Sequence, residues 1–99
     1  MKRWNGWGNV NTDYPVPPSG LAYLTKTLGS LNPAPDAAKE TVLAAVTESR
    51  LPAHPLVDPS AETRLAHARG QSMRDWVDLR HGRVKTFPDG VGFPTCDED

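Results

Sequence analysis

Few groups in this 99-residue chain could do chemistry: three histidines, one cysteine, a basic turn and a closing run of acids. The spacings of His54, His67 and His81 match no zinc-ligand pattern, and Cys96 lies far from them along the chain. His54 sits among prolines in Pro52-Ala53-His54-Pro55, while His67 and His81 fall on or just past expected helices. Hydrogen-bonded or solvated imidazoles are the ordinary reading there. Cys96 precedes Asp97-Glu98-Asp99, whose like charge disfavours a thiolate and so a nucleophile. The three acids could be taken for a cation site, but they suit the cap and first turn of a helix better. Arg80-His81-Gly82-Arg83 could attract an anion such as a phosphate, yet a helix C-terminus followed by a glycine turn accounts for it equally well. Gly6-Trp7-Gly8 has no strand before it and no helix after it, so it fails as a nucleotide fingerprint. No Ser-His-Asp or paired-carboxylate arrangement stands out. No residue is assigned a catalytic, cofactor-binding or metal-binding role.

Trp4 and Trp7 are the most distinctive pair. Indoles suit an amphipathic boundary, but no cationic cluster or amphipathic helix accompanies them. They are expected to plug a groove on a larger body.

The elements that would position these groups are short, because ten prolines interrupt the chain at about twice the usual frequency. Eleven Lys and Arg balance twelve Asp and Glu, without the basic excess of a nucleic-acid module. The longest apolar runs, such as Val42 to Val46, fall far short of the ~20 residues of a membrane helix. Met1-Lys2-Arg3 opens like a signal peptide, but Trp4-Asn5-Gly6 follows where an apolar stretch belongs. One cysteine excludes an internal disulfide framework and fits a reducing compartment, so the cytoplasm is expected.

Ser19 is a good N-cap for a helix through Leu28, closed by Gly29, with Leu21, Leu24 and Leu28 on one stripe. Asp36 can cap a second helix from Ala37 to about Thr47, burying Val42, Leu43 and Val46. Asp58 with Pro59 at N1 predicts a third, to about Arg69. Ser72-Met73-Arg74-Asp75 resembles a capping box opening a fourth, which stops near Gly82. Arg83 to Phe87 alternates like a strand, Pro88-Asp89-Gly90 is a turn, and Val91-Gly92-Phe93 reads as a second strand. The fold class expected is mainly α with a short terminal β-hairpin.

Two segments carry a family resemblance. Arg3-Trp4-Asn5-Gly6-Trp7-Gly8 looks like the opening of the alkyl-dihydroxyacetonephosphate synthases and their bacterial FAD-linked relatives. Pro88-Asp89-Gly90-Val91-Gly92-Phe93-Pro94, with Glu98-Asp99 after it, is similar to the first strand of the family's FAD-binding domain. Between them, Ser49 to Pro52 and Arg64 to Ser72 resemble the linker and helix that precede that domain.

The resemblance implies a flavoprotein of the vanillyl-alcohol-oxidase type. It makes residues 1–82 an N-terminal helical region with a Trp-rich irregular arm, and 83–99 the truncated start of an α+β FAD-binding domain. The family's "P.GGG(T/S)" diphosphate loop would lie beyond Asp99, as would its substrate-binding residues. The function implied is the N-terminal part of an FAD-dependent oxidoreductase, either an oxidase or dehydrogenase or a synthase-like enzyme. Its partners would be the FAD and cap domains, with no nucleic acid, metal or membrane span. The chain alone would be an inactive fragment that does not bind flavin. The alternative is a stand-alone helical interaction module without catalysis.

Overall fold

Proline placement sets the outline of the molecule. The computed structural model describes residues 1–99. Its first helix, α1, spans Pro18–Leu28 and has Pro17, not Ser19, at the N-cap position. Pro18 occupies the first turn, where a missing N–H costs nothing and a fixed φ helps. The expected end is found: Gly29 adopts φ 81° and returns its N–H to the Thr25 carbonyl at 2.9 Å.

Helix α2, Lys39–Ala44, is shorter than expected at both ends and starts after Ala38. Asp36 does not cap it, because its carboxylate is held by the Arg80 guanidinium at 2.8 Å. Helix α3, Ala61–Ala66, is capped by Ser60, whose hydroxyl accepts from the Thr63 N–H at 3.3 Å. Asp58 and Pro59 precede that cap; Asp58 receives the Ser60 N–H and the Thr63 hydroxyl instead. Helix α4, Met73–Arg80, carries the capping box as read. Ser72 Oγ accepts from Asp75 N–H, and the Asp75 carboxylate accepts from Ser72 N–H, both at 3.2 Å.

The strands correct the expected hairpin. Arg83 to Phe87 forms no strand. β1, Val57–Asp58, pairs antiparallel with β2, Val91–Gly92, in the register Val57 to Gly92 and Asp58 to Val91. Leu56 extends the pairing by accepting from Phe93 N–H at 2.8 Å. A mainly helical and coil chain with one two-stranded antiparallel pair is therefore what folds, but the partner of β2 comes from before α3.

Val42, Leu65, Leu79 and Val84 are the buried apolar core, one residue each from α2, α3, α4 and the segment after α4. Trp4, Leu43, Trp76 and Phe87 pack around them. Arg64 is the remaining buried residue; its Nε and Nη1 donate to the carbonyls of Pro88 and Thr47, each at 2.6 Å. At the other end of α4, Ala37 N–H reaches the Arg80 carbonyl at 2.8 Å and His81 Nδ1 the Pro35 carbonyl at 3.1 Å. These ties hold the loops to a small nucleus.

The rest extends away from it. The radius of gyration is 17.7 Å, against about 13 Å for a compact domain of this length, and the longest dimension is 57 Å. Helix α1 contributes nothing to the core: none of its residues is buried, so the Leu21, Leu24 and Leu28 stripe lacks the cover its pattern predicts. No helix is long and apolar enough to cross a membrane.

Candidate functional site

The arm before α1 folds back on the helices, and its own backbone makes it do so. Lys2 and Asn9 form an antiparallel bridge. Arg3 N–H donates to the Gly8 carbonyl and Val10 N–H to the Met1 carbonyl, each at 3.0 Å. Closing so tight a loop requires a residue at positive φ, and Gly8 supplies it at 84°. Arg3 then locks the loop from within. Its Nε donates to the Asn9 carbonyl at 3.1 Å and its Nη2 to the Thr12 carbonyl.

This loop places both indoles on the chain's own helices. Trp4 packs against the core cluster. Trp7 meets Trp76 of α4 edge to face, with ring centroids 6.3 Å apart and planes at 75°, a favoured aromatic geometry. Between arm and helices lies a groove of about 520 Å³, walled by Trp4, Trp7, Trp76, Leu65 and Leu79. That volume falls within the range of small-molecule sites, roughly 300–1,000 Å³.

Charged groups rim the groove, and most are already paired. Lys39 binds Glu62 at 2.9 Å, while Arg69 reaches Asp78 at 2.6 Å and Asp75 at 3.9 Å. Lys2 and Arg3, both on the groove lining, take part in none of the five ion pairs. Arg3 is half-buried, and two of its three guanidinium nitrogens are fixed by carbonyls. The remaining Nη1 makes no hydrogen bond within the chain.

The other residues singled out in the sequence are spent locally. His54 Nδ1 accepts from Leu56 N–H at 3.1 Å, and His67 Nδ1 faces the Thr63 carbonyl at 2.8 Å. Gly82, at φ 67°, makes the turn after α4, and Arg83 N–H donates to the Asp78 carbonyl at 2.8 Å. Arg80-His81-Gly82-Arg83 is thus a helix end clamped to Pro35 and Asp36. Cys96 is an exposed free thiol. Asp99 folds back so that its carboxylate accepts from Thr95 N–H at 2.7 Å and Thr95 Oγ1 at 2.8 Å. No group of three or more His, Cys, Asp or Glu could hold a metal ion.

Five carboxyls lie below the usual aspartate range for identifiable reasons, Asp99 because Thr95 N–H and the Thr95 hydroxyl donate to it. Asp36 is lowered first by the hydrogen bond from Arg80, and Asp89 by that from Arg50. Asp75 is lowered by the Ser72 hydroxyl and Asp58 by the Thr63 hydroxyl. Asp58, Asp75, Asp89 and Asp99 each accept from a backbone N–H, and Asp36 ties the loop before α2 to the Arg80 side chain.

Gly6-Trp7-Gly8 is the tip of a bridged loop with no helix behind it, and the loop is closed through the Gly8 carbonyl, which accepts from Arg3 N–H. Nothing in the sequence pointed to the groove, to Arg64 or to the Arg3 lock, since all three depend on the arm and loops meeting α3 and α4. The architecture defines a small chain of four short helices and coil built on a four-residue apolar nucleus. No family model matches it, and no solved structure does.

Proposed function

We propose that this chain is the N-terminal helical portion of an FAD-dependent oxidoreductase similar to the alkyl-dihydroxyacetonephosphate synthases. Its own part would be to dock on the flavin-binding domain and lead into it. A general oxidase or dehydrogenase ranks above the synthase, because the bacterial relatives of that family more often look like oxidases or dehydrogenases. The flavin and the reactive groups would come from the FAD and cap domains, in the cytoplasm, where Cys96 stays reduced.

One observation supports this reading above the others: the amount of apolar surface left open. Tyr14, Tyr23 and Leu28 are 88, 68 and 67% exposed and cluster on and before α1, while Phe93 is 51% exposed beside β2. Large apolar side chains left this exposed suit an interaction face. A two-stranded pair of two residues each is also marginal unless further strands join it.

The test is the reading frame after codon 99, followed by coexpression. An in-frame continuation into a "P.GGG(T/S)" loop, and a yellow complex when the chain is expressed with that domain, are expected. Micromolar quenching of FAD fluorescence by the 99-residue chain alone would overturn this placement of the cofactor.

The closed nucleus of Val42, Leu65, Leu79 and Val84 favours a second reading, a small interaction module that folds by itself. A monomer with one cooperative thermal transition would support the module. Aggregation relieved by the downstream domain would support the docking element.

A further inference from the structure

We propose that Asn5 is a site of spontaneous modification, deamidating through attack of the Gly6 main-chain nitrogen on its side-chain amide. The inference uses the arm alone and is independent of the flavoprotein reading.

The asparagines differ in what the next residue's nitrogen is doing. The Val10 N–H after Asn9 donates to the Met1 carbonyl at 3.0 Å, and the Thr12 N–H after Asn11 donates to the Asn9 carbonyl at 3.2 Å. Asn32 precedes Pro33, which has no N–H at all. Gly6 differs from all three. Its N–H makes no hydrogen bond within the chain, and neither does the Asn5 side chain. Both residues are partly open to solvent. Gly6 also has no Cβ to crowd the approach, and asparagine is among the thermolabile side chains.

The chemistry needs only water. The Gly6 nitrogen, having lost its proton to hydroxide, forms a bond to Asn5 Cγ, and the side-chain nitrogen leaves as ammonia. The product is a five-membered succinimide. Water then opens the ring at Cγ to give aspartate, or at the main-chain carbonyl to give isoaspartate. Nothing is oxidised or reduced. Either product adds a negative charge to the cleft that Asn5 shares with Arg3, Asp13, Asp36 and Arg80. Isoaspartate also lengthens the main chain inside the loop that the Lys2–Asn9 bridge closes. Trp7 should then lose its place against Trp76.

Asp89-Gly90 supplies the contrast within the same molecule. Its carboxylate could close the same ring, but Arg50 holds it through N–H at 3.2 Å, Nε at 3.0 Å and Nη2 at 2.6 Å. The fold therefore protects Asp89 and leaves Asn5 open.

Peptide mapping by mass spectrometry, after incubation of the full chain in mildly alkaline buffer, follows each position. Asn5 should convert ahead of Asn9, Asn11 and Asn32, at a rate within about threefold of that in urea, because no opening of the fold is required. Asp89 should form isoaspartate in urea and not in the folded chain. Gly6→Ala should slow Asn5 by about tenfold, since a Cβ narrows the backbone conformations that reach the ring. That variant keeps the loop, because the added Cβ would meet nothing nearer than Arg3 Cδ at 3.8 Å. In the purified isoaspartate form the Trp7 and Trp76 indole N–H resonances should move. Conversion of Asn5 far slower in the folded chain than in urea would overturn the site. An unchanged rate in Gly6→Ala would overturn the ring closure, and unmoved indole signals would overturn its effect on the arm.

Discussion

The Arg64 guanidinium donates through Nε to the Pro88 carbonyl at 2.6 Å, from a side chain only 3% exposed. With its second bond, to the Thr47 carbonyl, it joins α3 to the end of the α2 loop and to the segment entering β2. Its Nη2 is buried without a partner, so the burial is costly and the two bonds must offset it. Arg64→Met keeps the apolar stem and removes both donors. We expect a loss of ~2 kcal/mol, since a bond from a charged donor contributes about 1.5–3 kcal/mol and relief of the orphaned nitrogen returns part of it. A urea midpoint that does not move would show that the bonds contribute nothing net.

The depressed carboxyls fix the direction of the acid response. A group whose pKa is lower folded than unfolded contributes stability that is fully present above its unfolded value. That contribution is lost as pH falls through the folded value. Asp36, Asp58, Asp75 and Asp89 all belong to this class. Stability should therefore be flat from neutral pH down to about pH 5 and fall below about pH 4. Asp89→Asn should flatten that fall, because the carboxylate accepting from Arg50 Nε and Nη2 is then gone. Thermal melts between pH 3 and 7 measure it; an acid limb equally steep in the variant would remove Asp89 from the list.

The Ser72–Asp75 box sets the entry of α4, the helix that carries both Leu79 and Trp76. Ser72→Ala leaves the Asp75 N–H without its acceptor and should cost about 1 kcal/mol. Far-ultraviolet circular dichroism against temperature would show an earlier melt. Ser72→Thr, which preserves both the acceptor for Asp75 N–H and the hydroxyl that donates to the Asp75 carboxylate, should keep most of it.

Those caps also mark what the sequence can and cannot reveal. Ser72 with Asp75, and Gly29 after Leu28, are decided within four residues, and both were legible. Asp36 and Asp58 are equally good caps on paper, yet neither caps its helix. Asp36 meets Arg80, a partner 44 residues away that no local pattern could name. Asp58 is displaced because Ser60, one residue past Pro59, is closer to the first turn. The terminal hairpin failed for a similar reason. Val91 and Gly92 found Val57 and Asp58, which left Arg83 to Phe87 unpaired while packing drew Val84 into the core. The groove was invisible for want of any motif: an arm closed by backbone bonds and a guanidinium bound to carbonyls leave no side-chain signature.

Gly90 shows how close the β pairing is. A Cβ there would lie 2.5 Å from Val57 Cγ1 and 3.2 Å from Leu51 Cδ1. Val57 is β-branched and has little freedom to turn aside. Gly90→Ala should destabilise by about 1–3 kcal/mol, as overpacking does. The double variant Gly90→Ala with Val57→Ala should recover a good part of that, because the clashing methyl is removed. If the double variant is no better than the single, the cost lies in the backbone and not in this contact.

Helix α1 gives the converse case, in which apolar residues can be removed without harm. Leu21 and Leu28 are 48 and 67% exposed on a helix with no buried residue. Changing them to serine deletes no internal packing, so Leu21→Ser with Leu28→Ser should leave the unfolding midpoint of the core unchanged to within about 0.5 kcal/mol. The same change should lower self-association and dye binding by the isolated chain, because the largest uncovered stripe becomes polar. It should also weaken capture by the downstream flavin domain if α1 docks there. Light scattering and analytical ultracentrifugation of the two forms separate these effects. A midpoint that drops by 2 kcal/mol would mean that α1 is packed in solution and that its stripe is already covered.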